Sequence, residues 1–431
     1  MIILFILTES ELDFFNRLCL QKIFKTVKIA IEKLFHSTYN EEYNYLGTKG
    51  DINMPNTKSK QATKASKNRI LVFAIAVVLI AALIAGIFIF GKSKGKDTTT
   101  TNGTTAATTQ QTTAQPVVFI NPLTGLSGFN QNAVGKRPIA VVVENSPPAR
   151  PQWGFCSPDI VIEGVTEGGI TRMLWLYADA GTIPKVGPTR SARHDFVEMA
   201  EGLDAIFFHW GHSIYAQSAF DKRNIDHVDG IYYAGTYFFR DKSRGVAIEH
   251  TGYTNGELIS KAIARFKFNT QIEDTYADPF NFAPEGSPST PAGGTCSSIA
   301  VEFSYAYKHT FKYNANDNLY YNFINSKPMT QFGGKQMAVT NVIILYCPVK
   351  LIPGGSGTID MDLTGGKGVI ATNGGYENIT WKKGGPTNML RIYSSSGAQL
   401  TLNAGKSYIG WVPTTESSQT VIKGTTETTT S

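Results

Sequence analysis

The chain has 431 residues, 42% of them hydrophobic, and a formal net charge of +6 at pH 7. The basic residues beside one apolar run exceed this charge, so the rest of the chain is close to neutral and a nucleic-acid partner is not expected. None of the four cysteines shows the paired spacing of zinc ligands, and no motif specifies a metal or a cofactor. The composition is that of a globular protein with room for more than one domain.

Residues 70–90 contain no charged or strongly polar side chain, and their number matches the roughly 20 residues that a helix needs to cross a membrane. We therefore predict a single transmembrane helix. More basic residues lie in the leader, residues 54–69, than directly after the span, which predicts a cytoplasmic N-terminus and a C-terminal region outside the cell. A cleaved signal peptide is the alternative, but its apolar core is usually only about 7 to 15 residues long.

Residues 1–53 differ in character from the leader that follows them. Within them, residues 11–35 have the apolar spacing of an amphipathic helix that could lie on the inner membrane surface. Residues 49–51 can, however, be encoded by a purine-rich sequence that resembles a ribosome-binding site, a short distance before Met54. We therefore expect translation to start at Met54, and we interpret residues 1–53 as an over-extended reading of the gene rather than as a cytoplasmic segment.

Two Thr-rich segments flank the region that is expected to fold. Residues 91–116 and 414–431 cannot bury enough apolar surface to offset the entropy of ordering them, so we predict a linker and a disordered tail. Between them, residues 282–295 cluster Pro and Gly and are predicted to link two domains, 117–281 and 296–413.

The folded region alternates strand-like and helical patterns in its first half, and strand-like runs dominate its second half. We predict an α/β domain of layered sheet and helices, followed by a mainly β domain. The predicted helices are 193–203 and 258–268, and the predicted strands are 139–143, 160–162, 173–177, 205–209, 299–305, 310–313, 319–323, 341–346, 357–363, 367–372, 376–382, 389–393 and 406–412.

Several motifs are similar to those of one known family. They include Asn121-Pro-Leu-Thr-Gly-Leu, Glu167-Gly-Gly-Ile-Thr-Arg172, Val186-Gly-Pro-Thr-Arg-Ser-Ala-Arg193 and Gly405-Lys-Ser-Tyr-Ile-Gly-Trp-Val-Pro413. The chain resembles the YerB family of Gram-positive, membrane-anchored envelope proteins, whose domains carry no assigned biochemical function. The resemblance implies a two-domain fold and supplies no reaction. This chain departs from the family by having a membrane span in place of a lipid-bearing Cys, and by the loop Ala247-Ile-Glu-His250-Thr.

Charged residues of the first predicted domain lie on four separate segments. Small turns carry them at the ends of apolar strands, where an α/β sheet gathers its loops into a crevice, so we predict that they converge in one pocket. Guanidinium groups near a helix start favour phosphate or carboxylate ligands, and a structural salt-bridge network is the alternative. The ligand-binding candidates are Glu167, Arg172, Arg190, Arg193, His209, Arg240, Asp241 and Arg244.

Three residues are candidates for catalysis. Glu163 and Glu167 could act as the acid and base of a glycosidase, and His209 ends an apolar strand, where a core position is the usual alternative. His209 and His212 have no third ligand at a matching spacing, so no metal is expected. Because no motif specifies a nucleophile, we expect a binding or scaffolding module for an anionic or glycan wall ligand or an envelope protein partner. A cell-wall glycan hydrolase is the alternative.

Overall fold

The structure, a computed structural model, describes residues 118–276, 278–354 and 357–424. The predicted N-terminal extension, leader and membrane span all lie outside the described residues. Among the residues that are described, no helix combines the length and the apolar sequence needed to cross a membrane.

The strands at the centre of the first half are runs of β-branched, aromatic and other apolar residues that are buried on both faces, as is typical of the middle of a covered sheet. In chain order the strands of this half are β1 (Ile139–Glu144), β2 (Ile160–Val165), β3 (Thr171–Tyr177), β4 (Ile206–His209), β5 (His227–Asp229), β6 (Phe239–Arg240), β7 (Gly252–Tyr253) and β8 (Asn281–Phe282).

Four α-helices lie in the described part of the first half, and three of them begin at side-chain caps, of which Ser213 and Asn255 are two. The Ser213 hydroxyl accepts a hydrogen bond from the backbone N–H of Ala216 at 3.2 Å, and the Asn255 amide oxygen accepts one from Leu258 at 2.9 Å. The helices are α1 (His194–Glu201), α2 (Ile214–Arg223), α3 (Gly230–Tyr233) and α4 (Gly256–Phe266). Short 3₁₀ turns occur at Gln131–Ala133, Pro147–Ala149, Glu167–Gly169, Ala180–Thr182, Ile248–His250, Asp274–Tyr276 and Thr414–Gln419.

The second half consists mainly of strands, which confirms the predicted change from an α/β to a mainly β region. In several strands buried residues alternate with less buried ones, as a sheet with one covered face requires. The strands are β9 (Ser298–Ser304), β10 (Tyr307–Asn314), β11 (Leu319–Ile324), β12 (Lys327–Pro328), β13 (Ala338–Val339), β14 (Asn341–Cys347), β15 (Val349–Leu351), β16 (Ile359–Met361), β17 (Gly365–Thr372), β18 (Gly375–Lys382), β19 (Arg391–Tyr393), β20 (Thr401–Leu402), β21 (Ser407–Pro413) and β22 (Val421–Lys423).

One ten-stranded sheet runs through both halves, in the order β19-β18-β17-β14-β21-β2-β3-β1-β4-β5. Strand β21 lies between β14 and β2 and is parallel to both, with Ile409 opposite Ile343 on one side and Ile162 on the other. Residues 282–295, predicted as an inter-domain linker, therefore connect two parts of the chain that share a sheet.

A six-stranded sheet, formed by β9 to β13 and β22, packs on one face of the larger sheet. At this interface the rings of Phe311 and Tyr408 are 4.6 Å apart. On the opposite face Phe196 of α1 stacks on Trp411 at 5.3 Å. The core of the described region is thus built from helix, sheet and sheet in layers.

Residues 414–424, the described part of the predicted disordered tail, depart from that prediction. Residues 414–419 form a 3₁₀ turn, and β22 adds an antiparallel strand beside β9. Ile422 packs against the core and pairs with Ile299, which supplies the apolar contact and the backbone partners that a Thr-rich composition alone does not predict.

Candidate functional site

Several strand ends meet at one edge of the ten-stranded sheet. Strand β1 is parallel to β4 and antiparallel to β3, and β2 is antiparallel to β3, so the carboxyl ends of β1, β2 and β4 lie beside the start of β3. At this edge Glu144 of β1 lies directly opposite Arg172 of β3. Loops after the carboxyl ends of such strands are where open α/β sheets usually bind ligands.

Residues 188–193 cross this edge and are fixed to it by backbone hydrogen bonds. The N–H of Arg190 donates to the carbonyl of Val142 at 3.0 Å, and the N–H of Ala192 donates to Gly211 at 2.9 Å. Arg190 and Arg193 are thereby held beside Glu144 and Arg172. We call Glu144, Glu167, Arg172, Arg190, Arg193 and Arg240 the arginine cluster.

Two arginines of the cluster have carboxylate partners. Arg193 binds Glu167 in a bidentate manner, with Nε–Oε1 and Nη2–Oε2 distances of 2.6 and 2.9 Å. Nε of Arg190 lies 3.5 Å from Oε1 of Glu144, whose other oxygen is 2.9 Å from Nδ1 of His250. Both carboxylates are therefore already engaged within the cluster.

Arg240 extends the cluster toward solvent. Its guanidinium lies 4.1 Å from the ring centre of Trp210 and donates to the carbonyl of Ile248. Burial and then the nearby Arg190 lower the pKa of Arg240, against the opposing effect of Glu249.

Arg172 has no comparable partner among the described residues of the cluster. Its side chain is buried, Nη1 donates to the carbonyl of Ser191 at 2.6 Å, and Nε is buried without a hydrogen-bond acceptor. Burial, followed by the like charge of Arg193, lowers its pKa to about 9, so the group is still charged at neutral pH. The arginine cluster thus holds more guanidinium than carboxylate charge.

Three predicted site residues lie elsewhere. Asp241 follows the last residue of β6 and pairs with Lys185, whose hydrogen bond lowers the pKa of that carboxyl. Arg244 donates to the carbonyls of Ala149 and Arg150 at 2.9 and 2.7 Å. The expected convergence in one pocket therefore does not extend to Asp241, Arg244 or His209.

His209 belongs to a separate group of side chains, which we call the histidine cluster: His209, His212, His227 and Asp229. His209 is fully buried, with Nδ1 2.6 Å from the carbonyl of Gly211 and Nε2 3.0 Å from Nδ1 of His227. Nδ1 of His212 lies 3.0 Å from Oδ2 of Asp229. The sequence prediction considered only His209 and His212. It missed His227 and Asp229, which follow α2 later in the chain.

The predicted carboxylate pair is not arranged as in a glycosidase. Glu163 is 0% exposed between the two sheets, where Asn145 Nδ2 and the Tyr408 hydroxyl donate to it at 2.8 and 2.9 Å. Glu167 is held by Arg193. In the described region neither of these carboxylates is free to face the other across a substrate.

Glu144 and His250 are site residues that the sequence reasoning missed. Glu144 was passed over because it ends an apolar strand whose last predicted residue was 143. A carboxylate in that position, at the same sheet edge as Arg172, was the available signal. For His250, no local pattern predicts its contact with Glu144.

Two domain models that together define one family match this chain. Both are described as protein of unknown function (DUF3048), the N-terminal domain over residues 123–269 and the C-terminal domain over residues 299–409. The chain is also 33% identical over 305 residues to the Bacillus subtilis (strain 168) protein named "Putative lipoprotein YerB", with 68% of this chain and 86% of that protein covered. The chain belongs to the YerB family.

The crystal structure of the YerB protein from Bacillus subtilis shares the fold. The match has a TM-score of 0.62 at 29% identity and covers 71% of this chain and 99% of that one. All residues of the arginine and histidine clusters fall within the N-terminal YerB-family domain. Both family domains contribute strands to the ten-stranded sheet.

Proposed function

We propose that this YerB-family chain is a membrane-anchored protein of the Gram-positive cell envelope that binds an anionic ligand at its arginine cluster. The name of the Bacillus subtilis relative describes a lipoprotein, a class of protein held at a membrane surface. The apolar run at residues 70–90 supplies the anchor here as a single span, with the family domains outside the cell.

The burial of Arg172 is the observation that carries the binding proposal. A buried charge is costly unless an opposite charge and hydrogen bonds compensate it. Arg172 has one backbone carbonyl at Nη1, while the nearest carboxylates pair with Arg190 and Arg193. An anion bound between these guanidinium groups would supply the missing charge and an acceptor for Nε.

The ligand chemistry follows from the donors. Guanidinium groups recognise phosphate and carboxylate oxygens through paired N–H groups, and phosphate accepts several of them at once. The side chains of Arg190 and Arg193 remain 29% and 16% exposed, and Arg240 is exposed at the rim. A polymer that carries phosphate groups, as an anionic wall polymer does, could therefore reach the cluster from solvent.

The test is to measure the binding of synthetic poly(glycerol phosphate) by isothermal titration calorimetry to the wild type and to Arg190→Ala. We expect the variant to lose binding and to lose less than about 1 kcal/mol of unfolding free energy, since the Arg190 side chain is partly exposed and Glu144 keeps its contact with His250. Arg265→Ala is the matched control, because Arg265 is an exposed arginine of α4 outside the cluster and its removal changes the net charge equally. This control should bind as the wild type does.

A different pair of results would show that the cluster is only a structural salt-bridge network. In that case the wild type would not bind the polymer, and Arg190→Ala would lose about 3 kcal/mol or more, because the buried carboxylate of Glu144 would lose its guanidinium partner. Such an outcome would leave a scaffolding role for the protein.

A further inference from the structure

The histidine cluster contains a set of side chains with the composition of a metal site. The candidate ligand atoms of His209, His212 and Asp229 all lie within 4.8 Å of one another. We propose that His209 Nδ1, His212 Nδ1 and Asp229 Oδ2 bind a divalent transition-metal ion. Two imidazole nitrogens and one carboxylate oxygen form a donor set that suits zinc and its neighbours in the first transition series.

The spacing of these atoms is close to that of ligands around one ion. Metal–nitrogen bonds of about 2.0 to 2.1 Å place two ligands of the same ion about 3 to 4 Å apart, depending on the angle between them. Nδ1 of His212 is 3.0 Å, and Nδ1 of His209 is 3.9 Å, from Oδ2 of Asp229. The candidate ligand atoms of His209 and His212 lie within 4.8 Å of each other.

Asp229 is oriented so that one of its oxygens is left for an ion. Oδ1 accepts hydrogen bonds from the backbone N–H groups of Gly211 and Ile231, at 2.6 and 2.8 Å. These bonds fix the carboxylate at the start of α3 and direct Oδ2 toward the two histidines. Backbone donors of this kind are the usual supports of a metal-binding carboxylate.

His227 supports the second nitrogen of His209. Its Nδ1 lies 3.0 Å from His209 Nε2, and its ring stacks on Phe220 at 3.8 Å, which fixes its position. When Nδ1 of His209 binds an ion, its Nε2–H donates to His227, as the distal N–H of a metal-bound histidine normally does to some acceptor. Without an ion, the Nδ1 proton is donated to the carbonyl of Gly211.

The ion would enter from the side of His212. His209 and Asp229 are 0% and 2% exposed, whereas the His212 side chain is 21% exposed. Trp210 and Gly211 hydrogen bond to residues 190–192, so the ion would lie beside the arginine cluster.

The test uses the full chain in detergent, without a histidine tag, after treatment with EDTA. Zinc chloride is titrated by calorimetry near neutral pH, and the absorption spectrum of bound Co²⁺ reports the ligands. We expect one ion per wild-type chain and affinity weakened about tenfold or more in His212→Ala and His227→Ala. His194→Ala is the control, because His194 lies in the other group of potential ligands, with Asp195 and Asp360, and should leave zinc binding unchanged.

We expect His212→Ala to fold, because the side chain that it removes is partly exposed. Circular dichroism checks that the variant is folded. Zinc affinity that is equal in His212→Ala and the wild type, or the absence of zinc binding in the wild type, would overturn the proposal. A loss of zinc in His194→Ala would assign the ion to the other group and would also overturn it. None of these three results bears on anion binding at the arginine cluster, because anion binding is measured with EDTA present.

Discussion

At the scale of single residues, Glu163 shows how a catalytic candidate can serve the fold. Its carboxylate is buried between the two sheets, and Nε2 of His309 lies 3.2 Å from Oε1. Nδ1 of His309 is in turn 2.9 Å from the Asn322 amide oxygen. Tyr408 joins the same group from β21, so side chains of both family domains meet at this one carboxylate. Such a network is stabilising only while every member keeps its partners.

Glu163→Gln should therefore lower the free energy of unfolding by about 3 kcal/mol at pH 7, since the new amide NH₂ faces buried donors, Asn145 and Tyr408, that the carboxylate accepted from. Urea denaturation of the wild type and the variant measures the change. Glu302→Gln is the control, because the Glu302 pair with Lys308 is partly exposed and should contribute about 1 kcal/mol or less. Equal and small losses in both variants would show that Glu163 is not a critical partner.

The pH dependence of this contribution has a definite sign. Burial by itself raises the pKa of Glu163, but the adjacent His309 and the hydrogen bonds from Thr171 and Tyr408 outweigh it, and the pKa lies below its ordinary value of 4.5. The stabilisation is then present above 4.5 and is lost as the pH falls through the lower pKa of the folded state. In urea denaturation, Glu163→Gln should lack this acid-dependent loss.

The site was predicted in part at this scale. Arg172, Arg190, Arg193 and Glu167 stood out because guanidinium-rich turns near a helix start are visible in the sequence, and the structure brings them together. The contacts of Glu144 and His250 were not visible, since they join residues 106 positions apart. Arg240 and Asp241 were both predicted to lie in this pocket, but Asp241 pairs with Lys185 outside the cluster.

At the scale of elements, a buried carboxylate of α1 is one of its links to the second half. Oδ1 of Asp195, in the first turn of α1, accepts a hydrogen bond from the backbone N–H of Met361 in β16 at 3.0 Å. Burial raises the pKa of Asp195 to about 6 from its ordinary value of 3.8. The folded state therefore favours the protonated form, and the associated stability is lost as the pH rises through about 6.

Asp195→Asn should be more stable than the wild type at pH 7, by about 1 to 3 kcal/mol, because each pKa unit corresponds to about 1.4 kcal/mol. The amide keeps an oxygen for the Met361 N–H but carries no charge. The advantage should shrink as the pH is lowered from 7 toward 4, which urea denaturation across that range measures. A variant less stable than the wild type at pH 7 would show that His194 compensates the charge fully.

Elements with strong apolar patterns were predicted well, and weakly patterned ones were missed. The central strands β1, β3 and β14 appear within a few residues of their predicted bounds, because runs of buried apolar residues are local information. Helix α2 was missed, since only Ala216, Ala219 and Phe220 of it are buried and its apolar face is narrow. Strand β22 was hidden by the Thr-rich residues around it.

At the scale of the whole molecule, the shared sheet was beyond the sequence prediction. A composition change marks residues 282–295, and the family domain models also end and begin around it. Strand β21 lies between β14 and β2. Its pairing with β2 joins residues that are far apart in the chain, such as Ile162 and Ile409. Hydrophobic patterns report which residues are buried and not which strands are neighbours.

The proposed membrane topology also belongs to this scale, and it rests on the basic residues on either side of residues 70–90. Protease added to intact protoplasts should remove both family domains, while a tag at the start of the leader, residues 54–69, should stay protected. Immunoblots of the two regions measure this, and the same treatment after detergent lysis should destroy both signals. Full protection of the family domains in intact protoplasts would contradict the topology. If the tag and the family domains lie on separate polypeptides before any protease is added, the leader and the apolar run are instead a cleaved signal peptide.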